Sequence, residues 1–459
     1  MSTPYRNGFA PVSEEITAFD LPVTGRIPAE LSGRYLRNGP NPFGLDDPAA
    51  AHLFLGEGMV HGVRLRDGRA EWYRNRWVRS AEVARRLGEE PRPGAVHGGM
   101  DFAANTHVIG HAGRTFATVE AGARPYELTY ELETVGPCDF GGTLPGGYAA
   151  HSKLDPHTGE LHAIAYFFGW DHHQHVVIDP QGRVSRTVDI PVADAPMVHD
   201  LALTQRYVVI YDLPVTFSME HAAKGAPLPY SWNDDHPARI GLLPKDGGGE
   251  VRWMEVEPCW IFHTLNAYDD GDQVVIDAVR YPKRFVDARL DLGGLPTLER
   301  FTLDLTSGKV TETRLDDRAQ EFPRANERLT SLPYRYGYAA AAEDLVDVIY
   351  PADTELEDLP DTAFGNALIK HDLKTGTRQS RNFGRGASAG EPVFVPAQGA
   401  AAEDDGYVMA FVNDPGRGAT DLVILSAQDF TGEPVATVHL PARVPLGFHG
   451  SWVADTDAS

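Results

Sequence analysis

Short apolar runs rich in β-branched residues recur along the whole chain, and turn-forming residues separate them. The clearest of these runs are Gln174–Ile178, Tyr207–Tyr211, Gln273–Asp277 and Asp421–Leu425. Runs of this length and composition are typical of buried β-strands. Helical periodicity is rare, and it predicts only two short helices, over Ser80–Leu87 and near Ser218–Lys224. The pattern therefore predicts an all-β fold.

Turn phrases built on glycine and aspartate lie between the apolar runs. These residue types supply the positive φ angles that tight hairpins require. The phrases predict that successive strands are joined as antiparallel hairpins, with turns at Arg66–Arg69, His111–Arg114, Asp155–Glu160, Asp179–Gly182, Asp269–Asp272, Leu305–Lys309, Leu373–Thr377 and Asp404–Gly406.

One type of hairpin phrase occurs in at least three places. Lys153–Leu161 and Lys370–Thr377 look like variants of one unit, and Phe301–Gly308 is a third version. A strand, an aspartate, a Thr-Gly or Ser-Gly turn and a returning strand is the kind of hairpin that builds propeller blades. A pair of β-sandwiches is the alternative. Since no Pro/Gly/Ser-rich linker divides the chain, we expect residues 1–459 to form a single propeller domain.

Four histidines stand in short, unusual phrases far apart in the chain. They are His151 in Tyr-Ala-Ala-His, His199 in Met-Val-His-Asp, His263 in Ile-Phe-His-Thr, and His449 in Gly-Phe-His-Gly. Any one of them, taken alone, is more often a hydrogen-bonded core histidine than a metal ligand. Inner strands of a propeller, however, bring remote residues to one axis. A metal ion there would satisfy several imidazoles at once.

Composition narrows the classes of partner. Lys and Arg number 41 against 65 Asp and Glu, which gives a net charge of -24. So acidic a chain argues against nucleic acid as a partner, because phosphate binding needs a basic surface. The sequence has no apolar leader segment near Met1 and no run of 18 apolar residues, so we expect a cytoplasmic protein. The two cysteines, Cys138 and Cys259, are expected to be buried and reduced.

Further motifs flank the four histidine phrases in a fixed order. They include Gly33–Pro42, Gly56–Gly62, Asn105-Thr106, Glu120, Glu321–Arg324, Tyr334–Tyr336, Gly390–Pro396 and Val444–Gly450. In this combination the chain resembles the carotenoid cleavage oxygenase family, and the likeness runs through most of its length.

The resemblance implies a seven-bladed β-propeller with a helical and loop-rich cap over an axial Fe(II) ion. It implies that His151, His199, His263 and His449 bind the iron. It also implies that Glu120, Glu321 and Glu391 each accept a hydrogen bond from one ligand imidazole, leaving His151 without a carboxylate. Thr106 matches a family position near the iron. Chemistry alone would allow zinc or copper, so iron is implied by the resemblance only.

The implied reaction is the cleavage of a carbon-carbon double bond by O2, which gives two carbonyl products. An apolar tunnel would hold the alkene, and the aromatic residues expected to line it are Phe102, Trp170, Phe217, Phe262 and Phe448. His172, His173 and His175 form a second group of histidines, but the family pattern places no ligand there. We expect that group to be structural or to line the pocket.

Two features of the sequence narrow the class of substrate. Family members that cleave stilbenes usually carry a lysine immediately before the glutamate that corresponds to Glu120, and Val119 stands there in this chain. No tyrosine appears in the segment 89–100, where the stilbene branch carries one. Both departures favour a carotenoid or apocarotenoid, with stilbenes or alkenylphenols as the alternative substrates.

Two further hypotheses concern partners. The chain is alternatively a metal-free propeller that serves as a binding scaffold, because a fold does not fix a function. The apolar segment Ala226–Tyr230 is expected either to contact a membrane during substrate uptake or to pack within the cap.

Overall fold

The structure is a computed structural model that describes residues 10–43, 52–101, 104–286, 295–341 and 365–455. In these ranges the chain is almost entirely β-strand. The helices are α1 (Ala81–Arg86) and α2 (Met219–Ala223), with single 3₁₀ turns at Leu53–Leu55 and Glu327–Leu329.

The strands of the first half are β1 (Thr17–Phe19), β2 (Val23–Gly25), β3 (Gly33–Pro40), β4 (Gly58–Arg66), β5 (Arg69–Trp77), β6 (His107–His111), β7 (Arg114–Thr118), β8 (Tyr126–Leu128), β9 (Thr134–Pro137), β10 (Ser152–Leu154), β11 (Leu161–Ala165), β12 (His172–Ile178), β13 (Val184–Pro191), β14 (Ala202–Leu203), β15 (Tyr207–Asp212), β16 (Val215–Phe217) and β17 (Tyr230–Trp232).

The strands of the second half are β18 (Arg239–Pro244), β19 (Arg252–Glu255), β20 (Trp260–Asp270), β21 (Gln273–Tyr281), β22 (Thr297–Asp304), β23 (Val310–Asp316), β24 (Gln320–Ala325), β25 (Tyr336–Ala341), β26 (Ala367–Asp372), β27 (Thr377–Asn382), β28 (Ser388–Ala389), β29 (Val393–Pro396), β30 (Gly406–Asp414), β31 (Ala419–Ser426), β32 (Ala436–His439) and β33 (Gly450–Ala454).

All of the described strands except β16 and β17 form seven antiparallel sheets, which are the blades of a propeller. From the inner to the outer edge they are β33-β3-β4-β5-β1, β6-β7-β8-β9, β10-β11-β12-β13, β14-β15-β18-β19, β20-β21-β22-β23, β24-β25-β26-β27, and a seventh sheet in which β28 and β29 both pair with β30 and are followed by β31, β32 and β2.

The inner edges of the blades contact one another around a common axis. Contacts join β33 to β6, β14 to β20, β20 to β24, β24 to β29, and β29 back to β33. The ring is closed by both ends of the chain, since β33 pairs with β3 and β2 pairs with β32. Closure of this kind leaves few unpaired sheet edges. The prediction of an all-β, seven-bladed propeller is confirmed, and the sandwich alternative is wrong.

Burial along each blade explains the sequence pattern. Middle strands lie between neighbouring blades, so both of their faces are covered. Val208, Val209 and Ile210 in β15 are accordingly 0% exposed. Outer strands face solvent, and β27 is polar and largely exposed along Thr377–Asn382. The apolar runs in the sequence therefore identify middle strands more clearly than outer ones.

The predicted local elements lie where the pattern placed them. The four apolar runs fall within β12, β15, β21 and β31, and the two helical segments contain α1 and α2. Ser80 and Ser218 cap these helices by accepting the backbone N–H groups of Val83 and His221. Cys138 and Cys259 are both buried and unpaired.

The three related hairpin phrases do not all occupy equivalent places in their blades. Lys153–Leu161 joins the first two strands of its blade, β10 and β11. Phe301–Gly308 and Lys370–Thr377 lead instead into the outer strands β23 and β27. The last two phrases thus occupy equivalent places, whereas the likeness of the first to them reflects the chemistry of a tight turn rather than a repeated blade position.

An insertion in the fourth blade covers one end of the axis. Between β15 and β18 the chain forms the hairpin β16-β17, and this hairpin carries α2 in its connection. No helix in the described part of the chain is both long and apolar enough to cross a membrane. The assignment of residues 1–459 to one domain and the cytoplasmic location stay predictions.

Candidate metal centre

The four histidines lie at the inner ends of four different blades. His151 directly precedes β10, His449 directly precedes β33, His263 lies in β20, and His199 comes shortly before β14. Because inner strands surround the axis, residues separated by as much as two thirds of the chain meet there. The topology therefore explains why the four phrases are so distant in sequence.

The imidazoles converge on one point. One ligand atom from each of His151, His199, His263 and His449 lies within 4.8 Å of the others. The Nε2 atom of His199 is 3.1 Å from that of His151 and 3.2 Å from that of His263. His151, His263 and His449 are only 3–5% exposed.

Each of the other three blades contributes a glutamate to this centre. Glu120 follows β7 and accepts the Nδ1–H of His199 at 2.7 Å. Glu321 in β24 accepts that of His263 at 2.6 Å, and Glu391, between β28 and β29, accepts that of His449 at 2.9 Å. His151 is the ring that none of these three glutamates contacts.

The carboxylates fix the tautomers of three rings. An imidazole that donates its Nδ1–H keeps a lone pair on Nε2. The Nε2 lone pairs of His199 and His263 then face each other across 3.2 Å, an arrangement that favours a cation between them. Metal–imidazole bonds of ~2.1 Å at right angles would separate two nitrogens by ~3.0 Å. The donor set and its spacing therefore fit a metal ion.

The glutamates are held by different partners. Glu321 is fully buried, and its second oxygen accepts the Tyr281 hydroxyl at 2.9 Å. Glu391 accepts the Gly450 N–H at 2.7 Å and pairs with the Arg324 guanidinium at 3.0 Å. The Glu120 side chain is 18% exposed and pairs with His199. Glu391 is thus the one of the three whose charge a cation partly offsets.

Protonation of the rings follows their surroundings. Burial and the neighbouring imidazoles hold the pKa of His151 and of His449 well below its usual range, so both rings are neutral. Burial also disfavours the charged form of His199, but the Glu120 carboxylate outweighs it and raises the pKa of that ring. Neutral imidazole is the form that binds metals.

A cavity of about 550 Å³ opens onto three of the histidines, His199, His263 and His449. Its walls are largely apolar, as in typical small-molecule sites. Phe217 and Phe448 line it, and their contact with a substrate stays a prediction. Thr106 also lines it; its carbonyl accepts the His449 N–H at 3.0 Å, and its hydroxyl donates to Asn105 at 3.1 Å.

The other expected lining residues lie elsewhere. Phe262 is behind the wall, where its ring packs against Phe54 and against His199 at a centroid distance of 5.3 Å. Trp170 is not among the lining residues, because its ring stacks on His172 at 5.0 Å and contacts His97. These two expectations are corrected accordingly. Phe102 lies outside the described residues.

The histidines on strand β12, and His162 on the neighbouring strand β11, do not converge on one point. His162 and His175 hydrogen-bond directly to each other at 3.0 Å, with their rings stacked. His173 bonds to the Pro196 carbonyl. His172, His173 and His175 lie on the middle strand β12, away from the axis.

Several residues that line the cavity were not predicted from the sequence. The insertion supplies Met219, Ala222, Pro227, Leu228, Pro229 and Tyr230, and the segment after β11 supplies Tyr166 and Phe168. Pro227–Tyr230 of this apolar loop thus form part of the cavity wall, and contact of the loop with a membrane stays a prediction. Tyr166 extends an apolar run, and nothing in the sequence distinguishes it from a core residue.

Fold and site together define a β-propeller with an axial four-histidine metal centre beneath an apolar chamber. The family model described as "Retinal pigment epithelial membrane protein" matches residues 9–454. The chain belongs to this family, which is that of the carotenoid cleavage oxygenases, and it is an oxygenase of that type.

Curated relatives and solved structures agree with this assignment. The chain is 47% identical to a carotenoid cleavage oxygenase of Mycobacterium tuberculosis, over 99% of this chain and 98% of the relative. It is 31% identical to an isoeugenol monooxygenase of Pseudomonas nitroreducens, over 96% of both chains. The crystal structure of a Pseudomonas brassicacearum lignostilbene dioxygenase superposes with a TM-score of 0.86 at 29% identity, covering 99% of both chains.

Proposed function

We propose that this protein is a non-haem Fe(II) dioxygenase that cleaves a double bond of a carotenoid or apocarotenoid with O2. The products would be two aldehydes or ketones. The observation that carries the proposal is the geometry of the chamber: an apolar cavity of about 550 Å³ ends on His199, His263 and His449.

The four histidines would hold the iron as neutral nitrogen donors. Two of the nitrogen–nitrogen separations, 3.1 and 3.2 Å, lie between the ~3.0 Å of right-angled ligands and the ~3.4 Å of a tetrahedral zinc site, so the choice of iron rests on the family resemblance. The cavity adjoins three of the four rings, so the substrate and O2 would approach the ion from that side. When bound, the iron would supply the activation of O2 that the alkene chemistry requires.

The three glutamates would orient the rings and balance the charge of the ion. Their carboxylates engage Nδ1 atoms, so they do not compete for the metal. Three negative charges exceed the two positive charges of Fe(II), but Arg324 offsets part of the charge of Glu391. The centre would therefore remain close to neutral within an apolar environment, which limits the desolvation cost.

The chamber walls would position one double bond and exclude water. Phe54, Phe217 and Phe448 present aromatic surface to an apolar chain. No general acid or base is required for this reaction in principle, and the chamber supplies position rather than proton transfer. Thr106 is bonded through its backbone to His449, and we propose that it narrows the approach to the ion.

Val119 favours a polyene over a phenolate. It lines the chamber immediately before Glu120 and is 3% exposed. A valine there gives no positive charge for a phenolate, and Glu120 would repel one. Stilbenes or alkenylphenols are the second candidate class, because the isoeugenol and lignostilbene enzymes are similar over nearly the whole chain.

Substrate uptake from a membrane is a further part of the proposal. Met219 is 73% exposed and Phe168 is 44% exposed, and both residues also line the chamber. Such side chains at the rim would let an apolar substrate pass from a lipid surface to the cavity with little contact with water.

Product analysis tests the proposal. The purified protein is loaded with Fe(II) and incubated in air with a set of carotenoids and apocarotenoids and, separately, with a set of hydroxystilbenes. We expect carbonyl fragments from the first set, at rates that follow iron content. Cleavage of the second set alone would replace the substrate assignment. Failure to bind iron, together with no cleavage of either set, would favour the scaffold alternative.

A further inference from the structure

Two buried tyrosines add polar groups to the otherwise apolar chamber. Tyr166 and Tyr230 both line it, and they are 2% and 3% exposed. Their rings meet edge to face at a centroid distance of 5.9 Å. Among the described residues, neither hydroxyl has a partner that meets hydrogen-bond geometry, although the hydroxyl of Tyr166 interacts with the Glu120 carboxylate. Buried hydroxyl groups of tyrosine are usually satisfied, so these two point to a ligand.

Other uncharged polar side chains of the chamber are already engaged. The Asn105 amide donates to the carbonyls of Phe54 and Gly56, and its oxygen accepts the Thr106 hydroxyl. The rings of His199, His263 and His449 are oriented by their glutamates. The two phenol groups are therefore the hydrogen-bond donors available to a molecule in the chamber.

The charge of the nearby Glu120 carboxylate decides which hydrogen-bond acceptors these two hydroxyls can bind. Burial, with the Glu120 carboxylate adding to it, raises the pKa of Tyr166 and of Tyr230, so both hydroxyls keep their protons. The same carboxylate would repel an anionic ligand. A neutral oxygen, as in a carbonyl or an alcohol, suits two protonated phenols beside a carboxylate.

We propose that Tyr166 and Tyr230 donate hydrogen bonds to a neutral carbonyl or hydroxyl oxygen of the substrate. This inference rests on the proposed function and narrows it. The preferred substrate is then an oxygenated polyene rather than a hydrocarbon carotene. Because Glu120 acts on both tyrosines and binds Nδ1 of His199, the ring nitrogen remote from the other three histidines, the tyrosines would contact the substrate to one side of the double bond that reacts.

Equilibrium binding without turnover tests the pair directly. Iron-loaded protein is titrated under nitrogen with a C30 apocarotenoid aldehyde and with the hydrocarbon that carries a methyl group in place of the aldehyde. The variants Tyr166→Phe and Tyr230→Phe are compared with the wild type. Each variant should weaken aldehyde binding by about fivefold and leave hydrocarbon binding unchanged, since each loses one neutral hydrogen bond.

Tyr338→Phe is the matched control. Tyr338 is buried, and its hydroxyl likewise has no partner among the described residues, but it packs against Phe394 and Phe430 away from the chamber. Its removal should change the affinity for neither ligand. Thermal melting of each variant shows whether the fold is kept.

Three outcomes would overturn the inference. These are equal binding of both ligands by the wild type, no binding of either ligand, and an equal loss for both ligands in the phenylalanine variants. The last result would mean that the hydroxyls support Glu120 rather than the substrate. A selective loss of aldehyde binding, combined with no cleavage in air, would instead reject the dioxygenase proposal and leave the tyrosine contact standing.

Discussion

Among the described residues, two groups of histidines in the interior differ in their ability to hold a metal. In the axial group, His151, His199, His263 and His449 direct their ring nitrogens to one point. In the blade group, defined here as His162, His173 and His175, two rings bond to each other and the third bonds to a backbone carbonyl. The rings of both groups are buried except that of His199, whose side chain is 10% exposed.

The two groups differ in whether a carboxylate forms a hydrogen bond with the ring. Glutamates bind the Nδ1–H of three axial rings, so the Nε2 lone pairs are free to face one another. The nearest carboxylate to His162, that of Glu160, is 3.8 Å from Nε2 and too distant for a hydrogen bond. Carboxylates bound to three of the four imidazoles, rather than the number of imidazoles, are thus what prepares the axial metal site.

Removal of an axial ring should have the largest effect. We expect His263→Ala to abolish iron binding and to lower cleavage more than ~1,000-fold, because three remaining nitrogens hold the ion far less tightly. Metal content is measured by mass spectrometry, and cleavage by product formation.

His172→Ala is the control for this change. His172 lies on β12 beside the blade group, and its ring stacks on Trp170. The control should keep one iron per chain. If His172→Ala loses iron and His263→Ala retains it, the assignment of the two groups is reversed.

Loss of a carboxylate behind a ring should have the next largest effect. Glu321→Gln keeps the shape of a fully buried side chain but replaces one carboxylate oxygen with an amide. We expect iron affinity to fall ~10–100-fold, the usual effect of losing such a partner. Competition with a chelator measures it. An affinity equal to that of the wild type would mean that the glutamate does not prepare the site.

The blade group should make the free energy of unfolding decrease in acid. Burial lowers the pKa of His162 to about 4 and that of His175 to about 3, below the ordinary value of 6.5. Unfolding lets each ring take up a proton, so stability is complete above pH 6.5 and falls as the pH drops below it. Each ring should contribute a slope of ~1.4 kcal/mol per pH unit.

His175→Gln isolates this contribution. The variant should flatten the dependence of the free energy of unfolding on pH between 6.5 and 5, measured by urea denaturation. Its iron content at pH 7 should equal that of the wild type. An unchanged slope would show that the blade rings do not resist protonation.

Partly filling the chamber that leads to the axial group should have the smallest effect on cleavage. Ala222 in α2 lines the chamber. Ala222→Trp should raise KM about fivefold by partly filling the space, with iron content unchanged. Leu154→Trp is the control, since Leu154 lies on β10 beyond His151 and lines a separate cavity. Equal effects of the two substitutions on KM would contradict the choice of chamber.

Strand positions were predictable because middle strands are apolar on both faces, as in Val176–Ile178. The histidine phrases were also visible, but the sequence alone does not pair Glu120 with His199 across 79 positions. That pairing depends on the topology of the blades and was implied only by resemblance.

Side chains on irregular segments were the least predictable. Trp170 was expected in the chamber, yet the turn before β12 directs it toward His97 and His172. Tyr230 lies in the chamber because the hairpin β16-β17 folds over the axis. An insertion of this kind has no periodic signal that relates it to the blades, so its lining residues follow only from the fold.

Anomalous diffraction at the iron edge, from crystals grown with Fe(II), tests the central claim most directly. We expect a single peak per chain within bonding distance of Nε2 of His151, His199, His263 and His449, with the three glutamates outside that distance. A peak beside His162 and His175, or no peak at the axis, would contradict it.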